Sequence, residues 1–402
     1  MSLTDFQIGL IQGLGVALFA ACAGYPIAWL ADRFDRRLIL SASVLVWCAA
    51  VAACGLSQSF PQLFVASAIV GVGEASLLPI TYAVIPTLFE GRSRLTANAM
   101  VTLVGRVASG GVIALIGLLV QQIGAVRSAL PHSLVTLENW RLALLALAVP
   151  GPLFALAVLS LRLSKAPDKL TATQQLRSTT AAWPYLRAQI GTLGAIYAGV
   201  GLLIFGMSAF GAFMPVVAMR QMGASPASVG AGVGTATLIS TLAAMVIVIG
   251  LGGTLARRLG PAYTIWLLAS ASCLTALLSP AFLFVRSAND IYVLMGVSFL
   301  FLGTGAMAFP TALQDLIPAP LRARLIAVAI LVNIILSALA PGVVGFVSDQ
   351  LGQSGGALLV ATVATAMAAL VAATVMLALA SRRYVATVDA ARQIEINSEQ
   401  GL

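Results

Sequence analysis

Arg92-Ser93-Arg94-Leu95 recurs in the second half of the chain as Arg322-Ala323-Arg324-Leu325. The stretch that precedes it, Gly71-Val72-Gly73-Glu74-Ala75, recurs as Gly303-Thr304-Gly305-Ala306-Met307. Two further landmarks repeat in the same order: residues 30–33 as 255–258, and residues 117–124 as 345–352. Repetition over so long a distance indicates that the chain folds as two similar halves.

The composition places both halves in a membrane. The chain has 402 residues, of which 60% are hydrophobic and 9% are charged, and its mean hydropathy is +1.02. Such a composition excludes an ordinary soluble domain. Apolar runs of about 20 residues cross a hydrocarbon core of about 30 Å as α-helix. The sequence predicts eleven such helices, at residues 7–30, 38–57, 61–89, 97–123, 140–163, 188–218, 228–255, 261–285, 291–316, 325–348 and 355–381.

We therefore predict an all-α membrane protein built from two pseudo-symmetric helical bundles. Residues 1–163 form an N-terminal bundle of five helices, and residues 188–381 form a C-terminal bundle of six. Residues 164–187 are a polar cytoplasmic linker, and residues 382–402 are a polar, loosely ordered cytoplasmic tail. Two similar bundles with a substrate site between them near the membrane midplane are typical of secondary transporters.

The two halves differ by one helix. Helix 188–218 precedes residues 224–230, which match residues 3–9 at the start of the chain. Repeat symmetry therefore predicts a twelfth helix, the partner of 188–218, upstream of Met1. The alternative is a native protein of eleven helices.

The net charge of +9 reflects orientation in the membrane. When loops are assigned alternately to two sides, one side holds only Arg127, Arg141, Arg220 and Arg286, and the other holds the remaining loop cations. Basic residues favour the cytoplasmic side, so the crowded side is cytoplasmic and the C-terminus lies there. We expect a multi-pass protein of the cell (inner) membrane, surrounded by lipid, with no nucleic-acid partner.

The loop between the first two helices carries a family resemblance. Ala28-Trp29-Leu30-Ala31-Asp32-Arg33-Phe34-Asp35-Arg36-Arg37 resembles the signature loop of the major facilitator superfamily, Gly-x-Leu-Ala-Asp-Arg-x-Gly-Arg-Arg, with Ala28 and Asp35 in place of the two glycines. The second copy, residues 253–260, keeps both glycines and loses the aspartate. The resemblance implies the superfamily's fold of two bundles and transport by alternating access.

The resemblance also implies a gate. Asp32 would face the N-terminal end of the helix that begins near Leu325, and Arg33, Arg36 and Arg37 would complete a charge network there. A carboxylate at a helix N-terminus stabilises the contact by about 0.3–2 kcal/mol. A contact of that strength can hold the cytoplasmic side closed and can still break in every transport cycle.

Glu74 is the acidic residue deepest in the membrane, within helix 61–89. A charge at the bilayer centre costs about 2.5–3.5 kcal/mol on insertion scales, and such residues are usually functional. We predict that Glu74 couples transport to protons. The alternative is a structural glutamate held by hydrogen bonds at a helix contact.

Arg106, in helix 97–123, is the basic residue deepest in the membrane. Its predicted height differs from that of Glu74 by about 9 Å at 1.5 Å per residue, a gap that two long side chains can close. We predict that Arg106 is a counter-charge for Glu74 or a contact for an anionic substrate. An arginine that lines a water-filled vestibule without a specific partner is the alternative.

Within the superfamily, three stretches resemble the spinster-like group: residues 2–9, 71–75 and 341–349. The resemblance implies a proton-linked carrier of amphipathic lipids or related compounds, with the glutamate matching Glu74 as its proton site. The sequence departs from the group at Ser67, where the group has an arginine, and it lacks the Asp-Arg pair of the group's first helix.

Aromatic residues of the second half are candidates for the substrate cavity: Tyr197, Phe205, Phe213 and Phe309. Packing or lipid contact is the alternative, since aromatic side chains in such helices commonly serve those roles.

These observations predict a secondary active transporter that works by alternating access and couples to protons the transport, by import or export, of an amphipathic or lipid-like, drug-like or organic-anion small molecule. The alternative from another class is a non-transporting sensor or scaffold that has kept the fold. The sequence shows no nucleophile-base set, metal-ligand cluster or phosphate loop, so we expect neither an enzyme nor a metal or cofactor. The proton gradient is the expected energy source, and we expect a monomer.

Overall fold

A computed structural model of the protein describes residues 3–77, 80–81, 101, 104–105, 108, 111–123, 127, 136–161, 183–318, 321–352 and 356–399. The regular elements of this part of the chain are all helices. In this part of the chain, nine helical stretches, three of them made of consecutive elements, are long and apolar enough to cross a membrane, and two shorter apolar helices accompany them. Each of the eleven predicted helices has a helical counterpart here, which confirms the predicted all-α membrane fold.

The N-terminal half opens with a capped helix that passes through a π-helical segment at Ile11–Gly15. The Thr4 hydroxyl accepts a hydrogen bond from the Gln7 backbone, and the Gln7 side chain accepts one from Thr4 N–H, so both ends of a capping box are present. The helices of this half are α1 Asp5–Leu10, α2 Val16–Arg33, α3 Arg36–Leu56, α4 Phe60–Glu74, α5 Gly111–Ile123, α6 Asn139–Ala148 and α7 Gly151–Ser160.

The C-terminal half has clear helix start and stop signals. Gly223 has φ +65° and ends one helix, and Ser225 caps the next, which has Pro226 at its first position. The helices of this half are α8 Ile190–Met222, α9 Pro226–Leu259, α10 Tyr263–Leu278, α11 Ala288–Leu316, α12 Arg322–Gln350 and α13 Ala357–Glu399. Its core is one large apolar cluster in which α8 packs against α12 and α13, and α11 packs against α9 and α10.

Pro79 lies within predicted helix 61–89, and a proline inside a helix commonly kinks it. In the structure α4 extends from Phe60 to Glu74. The chain keeps a helical course beyond Glu74, because the Ala75 N–H donates to the Gly71 carbonyl at 3.1 Å and the Ile80 N–H donates to the Ser76 carbonyl at 3.1 Å.

The C-terminal tail is also more ordered than expected, since α13 continues to Glu399. An apolar stripe explains the difference: Tyr384, Val388 and Ala391 are buried at helical spacing. The Tyr384 hydroxyl lies 2.8 Å from that of Thr264 on α10. The tail therefore packs on the bundle.

The end of the predicted linker also packs on the C-terminal bundle, because the Tyr185 hydroxyl donates to the Leu316 carbonyl at 2.6 Å.

Candidate functional site

Glu74 is the last residue of α4, and its side chain is exposed. The residue is about 21 Å along α4 from Phe60 at 1.5 Å per residue, which places it deep within a hydrocarbon core of about 30 Å. Acidic side chains at this depth are rare and usually functional. The structure thus places an exposed acidic side chain inside the membrane.

Two glycines bring neighbouring backbones close to Glu74. A Cβ atom on Gly71 would overlap the carbonyl oxygen of Val16 on α2. A Cβ atom on Gly73 would lie 2.7 Å from the backbone nitrogen of Trp47 on α3. Because only glycine permits both approaches, α4 is held between α2 and α3 immediately before Glu74.

Ser76, two residues after Glu74, is a buried polar residue that sequence reasoning missed. Its hydroxyl has no hydrogen-bond partner among the described residues. Buried hydroxyl groups are usually hydrogen-bonded. A single serine among apolar residues gave no sequence signal for this placement.

Arg106 lies outside the residues that the structure describes, so its pairing with Glu74 stays a prediction. Glu74 forms no ion pair with any described residue. Within the described residues, no group of three or more His, Cys, Asp and Glu side chains is arranged to hold a metal ion.

The predicted gating loop connects α2 to α3. Asp32 and Arg33 belong to the last turn of α2, and their side chains are outside the described part of the structure. Arg36 is buried, and Arg37 makes a 2.6 Å ion pair with Asp35 and donates to the Leu161 carbonyl. Arg37 therefore makes its contacts within the N-terminal half, and the contact of Asp32 with α12 stays a prediction.

We expect Asp32→Asn to shift the protein toward the conformation that opens to the cytoplasm, because an amide lacks the charge that the α12 N-terminus would attract. Labelling of engineered cysteines on each face of the membrane measures the shift. Arg37→Gln is the control, since its ion pair is local. Unchanged labelling on both faces in Asp32→Asn would contradict a gating role.

The four candidate cavity aromatics lie in the packed core of the C-terminal half. Phe213 is fully buried, and Phe205 and Phe309 are more than nine-tenths buried. The Tyr197 hydroxyl donates to the Leu325 carbonyl at 2.9 Å, which ties α8 to the start of α12. In this conformation the four side chains therefore contribute to packing, the alternative that the sequence left open.

The two halves meet through a polar cluster around Asp5. The backbone N–H groups of Asp5 and Phe6 each donate to the Asp349 carboxylate at 3.2 Å, so a carboxylate of α12 caps the N-terminus of α1. The Asp5 carboxylate accepts a 2.8 Å hydrogen bond from the Ser348 hydroxyl and forms a 2.6 Å ion pair with Arg220 of α8. The charge distribution predicts that this end of the bundle is extracytoplasmic, and we call it the outer end.

Glycines bring the same two helices together along their length. A Cβ atom on Gly9 would overlap the Pro341 carbonyl, and one on Gly345 would overlap the Asp5 carbonyl. Gly13 likewise faces the Ala338 carbonyl. No side chain fits between α1 and α12 at these positions, so their backbones are in direct contact.

The repeat produces a second, equivalent interface. Gly230 on α9 matches Gly9, and a Cβ atom there would lie 2.7 Å from the Ile113 carbonyl of α5. Gly117 on α5 matches Gly345, and a Cβ atom there would overlap the Pro226 carbonyl. The pairs α1–α12 and α5–α9 therefore close the outer end by the same contact, related by the internal repeat.

Two helical bundles that are related by a repeat and joined by equivalent helix pairs define a membrane transporter. The chain belongs to the Major Facilitator Superfamily, whose family model matches residues 1–341. Its predicted likeness to spinster proteins is confirmed by the comparisons that follow.

The chain is 28% identical over 363 residues to an MFS-type efflux pump of Mycolicibacterium smegmatis, covering 89% of this chain and 79% of that protein. It is 32% identical over 155 residues to protein spinster homolog 3 of Mus musculus, and the match covers 37% of this chain and 29% of that protein. Its fold is similar to that of a bacterial homologue of the human lysosomal transporter Spinster in an inward-facing, unoccupied conformation. That match has a TM-score of 0.71 and 22% identity, and it covers 96% of this chain and 90% of the other.

Proposed function

We propose that the protein couples a proton gradient to the export of an amphipathic, lipid-like, drug-like or organic-anion small molecule. The observation that carries this proposal is the exposed carboxylate of Glu74 at the end of α4, deep in the membrane. The efflux activity in the name of the mycobacterial relative supports the direction. The protein acts as a monomer in the inner membrane, with its C-terminus in the cytoplasm and without a cofactor.

Glu74 exchanges a proton with the substrate cavity in each cycle. A charged carboxylate is costly in hydrocarbon, so proton binding favours conformations in which Glu74 is withdrawn from water. Loss of the proton favours conformations in which it is hydrated. Arg106 serves as its counter-charge or binds an anionic group of the substrate.

Alternating access requires the outer end to open, and the closed interfaces α1–α12 and α5–α9 separate at that step. Proton and substrate shift the populations of the two conformations according to their relative affinity for each. The glycine contacts make closure sensitive to any added side chain, and the Asp5 cluster adds polar contacts that break on opening.

We expect Arg220→Gln to open the outer end modestly. The Arg220–Asp5 ion pair is partly exposed, and such pairs stabilise a structure by about 0.2–1 kcal/mol. Losing the pair would therefore lower the ratio of closed to open protein by up to about fivefold. Outer-face labelling of an Ala338→Cys variant measures this, because Ala338 is buried at the α1–α12 contact. Arg286→Gln is the matched control, since Arg286 has no ion pair with a described residue. Equal labelling in both variants would show that the pair does not stabilise closure.

Flux through proteoliposomes tests the proposed function. Purified protein is reconstituted with an imposed pH gradient, and an amphipathic dye, a lysophospholipid and an organic anion are offered in turn. We expect one of these classes of compound to be transported while the pH gradient is present. Its transport should stop when a protonophore collapses the gradient. Binding of a compound without any flux would overturn the proposal in favour of a non-transporting sensor or scaffold.

A further inference from the structure

A small polar pocket lies at the predicted cytoplasmic end, between the start of α8 and the distal part of α13. Its volume is ≈ 190 Å³, and its lining includes Gln189, Gly191, Thr192, Arg383 and Thr387. It is separate from Glu74, which lies in the other half of the molecule. The proposed transport mechanism makes no use of it.

The pocket has a built polar wall. The Thr387 hydroxyl lies 3.1 Å from the Thr192 hydroxyl and donates to Gln189 Oε1 at 3.2 Å, and both threonines are almost fully buried. Buried polar side chains that bond one another keep a fixed geometry. The pocket is therefore a formed feature of the α8–α13 contact.

Positive charge surrounds this pocket. Arg383 lines it, Arg382 is the next residue on α13, and Arg187 lies just before Gln189. None of these three arginines forms an ion pair with a described residue. The Arg383 guanidinium, which has no ion-pair partner in the described part of the chain, is complementary to a phosphate, and arginine binds phosphate through two parallel hydrogen bonds.

The pocket lies at the level of lipid headgroups. Arg383 is about 39 Å along α13 from Ala357 at 1.5 Å per residue, beyond a hydrocarbon core of about 30 Å and within a full bilayer of about 40–45 Å. Trp183, more than half exposed, lies nearby in sequence with the Arg187 guanidinium 5.2 Å from its ring. Tryptophan favours this interfacial layer, so the arginines face headgroups.

We propose that the pocket formed by Arg383, Thr192 and Thr387 binds the phosphate headgroup of an anionic phospholipid from the cytoplasmic leaflet. The Arg383 guanidinium pairs with the phosphate, and the threonines and Gln189 fix the polar wall against which the headgroup packs. Basic pockets between transmembrane helices on the cytoplasmic side have the chemistry that such headgroups require. Because the lipid bridges α8 and α13, it stabilises the C-terminal bundle.

Native mass spectrometry of the full-length protein, purified in detergent, tests this. The probes are dioleoyl phosphatidylglycerol, dioleoyl phosphatidylcholine and sodium phosphate. Both lipids carry the phosphate, but the trimethylammonium group of phosphatidylcholine neutralises it and is repelled by the arginines. We therefore expect the wild-type protein to retain phosphatidylglycerol about tenfold more strongly than phosphatidylcholine. This comparison requires no variant, so it stands even if a substitution impairs folding.

Two neighbouring arginines provide the matched variants. Arg383→Gln is expected to remove the preference for phosphatidylglycerol, whereas Arg382→Gln, which does not line the pocket, keeps it within about twofold. Equal losses in the two variants would overturn the site in favour of general surface charge. Equal binding of the two lipids by the wild-type protein would also overturn it. Displacement of phosphatidylglycerol by millimolar sodium phosphate would identify a soluble anion site and refute the lipid.

Discussion

Replacement of Glu74 by glutamine is expected to reduce proton-driven transport to background while the protein remains folded. Glutamine keeps the size and polarity of glutamate and cannot exchange a proton. Glu74 is exposed at the end of α4 and forms no ion pair with a described residue, so the substitution leaves the folded structure intact. The pH-gradient flux assay in proteoliposomes measures the effect.

A second measurement separates loss of coupling from loss of binding. Substrate counterflow across liposomes with equal pH on both sides requires no net proton movement, so Glu74→Gln is expected to retain it. Glu138→Gln is the matched control, because Glu138 lies in a loop, where its carboxylate accepts a hydrogen bond from Trp140. Full proton coupling in Glu74→Gln would refute the role of Glu74. Loss of both flux and counterflow would assign Glu74 to substrate binding instead.

The helices and their twofold repetition were predictable because both depend on patterns that extend over many residues. Apolar runs define the membrane-spanning helices, and the recurrence of residues 71–75 at 303–307 defines the two halves of the chain. Neither pattern depends on which residues contact one another in the fold. The course of α13 beyond residue 381 was not predictable in this way. The buried stripe of Tyr384, Val388 and Ala391 is short, and polar residues around it lower the mean hydropathy.

The site was predictable only in part. Glu74 was identified because a charge among apolar residues is conspicuous in any sequence. The close approach of α2 and α3 to Gly71 and Gly73 depends on tertiary packing, which the sequence does not specify. The gating role of Asp32 and the pairing of Arg106 with Glu74 remain predictions, since they depend on side chains outside the described part of the structure.

The glycines that close the outer end repeat in the sequence, but their repetition alone does not identify them as contact residues. Gly9 and Gly345 recur as Gly230 and Gly117, and each of the four faces a backbone carbonyl across the halves. A glycine in a transmembrane helix has many uses, however. The sequence does not say which of the chain's 37 glycines touches another helix.

Substitution of Gly345 by alanine is expected to prevent closure of the outer end and to lower transport by about tenfold or more. The Cβ atom of alanine would overlap the Asp5 carbonyl oxygen. The backbone of α12 fixes the position of this Cβ atom, and the carbonyl belongs to the backbone of α1, so neither atom can rotate away. Small residues at such contacts set how closely two transmembrane helices approach. A displaced α1 would also pull Asp5 away from Ser348 and Arg220. The protein would then accumulate in the outward-open conformation.

Gly342 provides the matched control on the same helix, one turn away. The nearest atom to a Cβ there is a Leu10 methyl carbon at 3.9 Å, so Gly342→Ala is expected to leave closure and flux unchanged. Both variants are made with Ala338→Cys in a background in which Cys22, Cys48, Cys54 and Cys273 are replaced, and a membrane-impermeant maleimide reports opening. Gly117→Ala tests the equivalent contact with α9 and should give the same increase in labelling as Gly345→Ala. If labelling of Ala338→Cys rises equally in Gly342→Ala and Gly345→Ala, the effect comes from a general loosening of α12, and the glycine contact does not control the outer end.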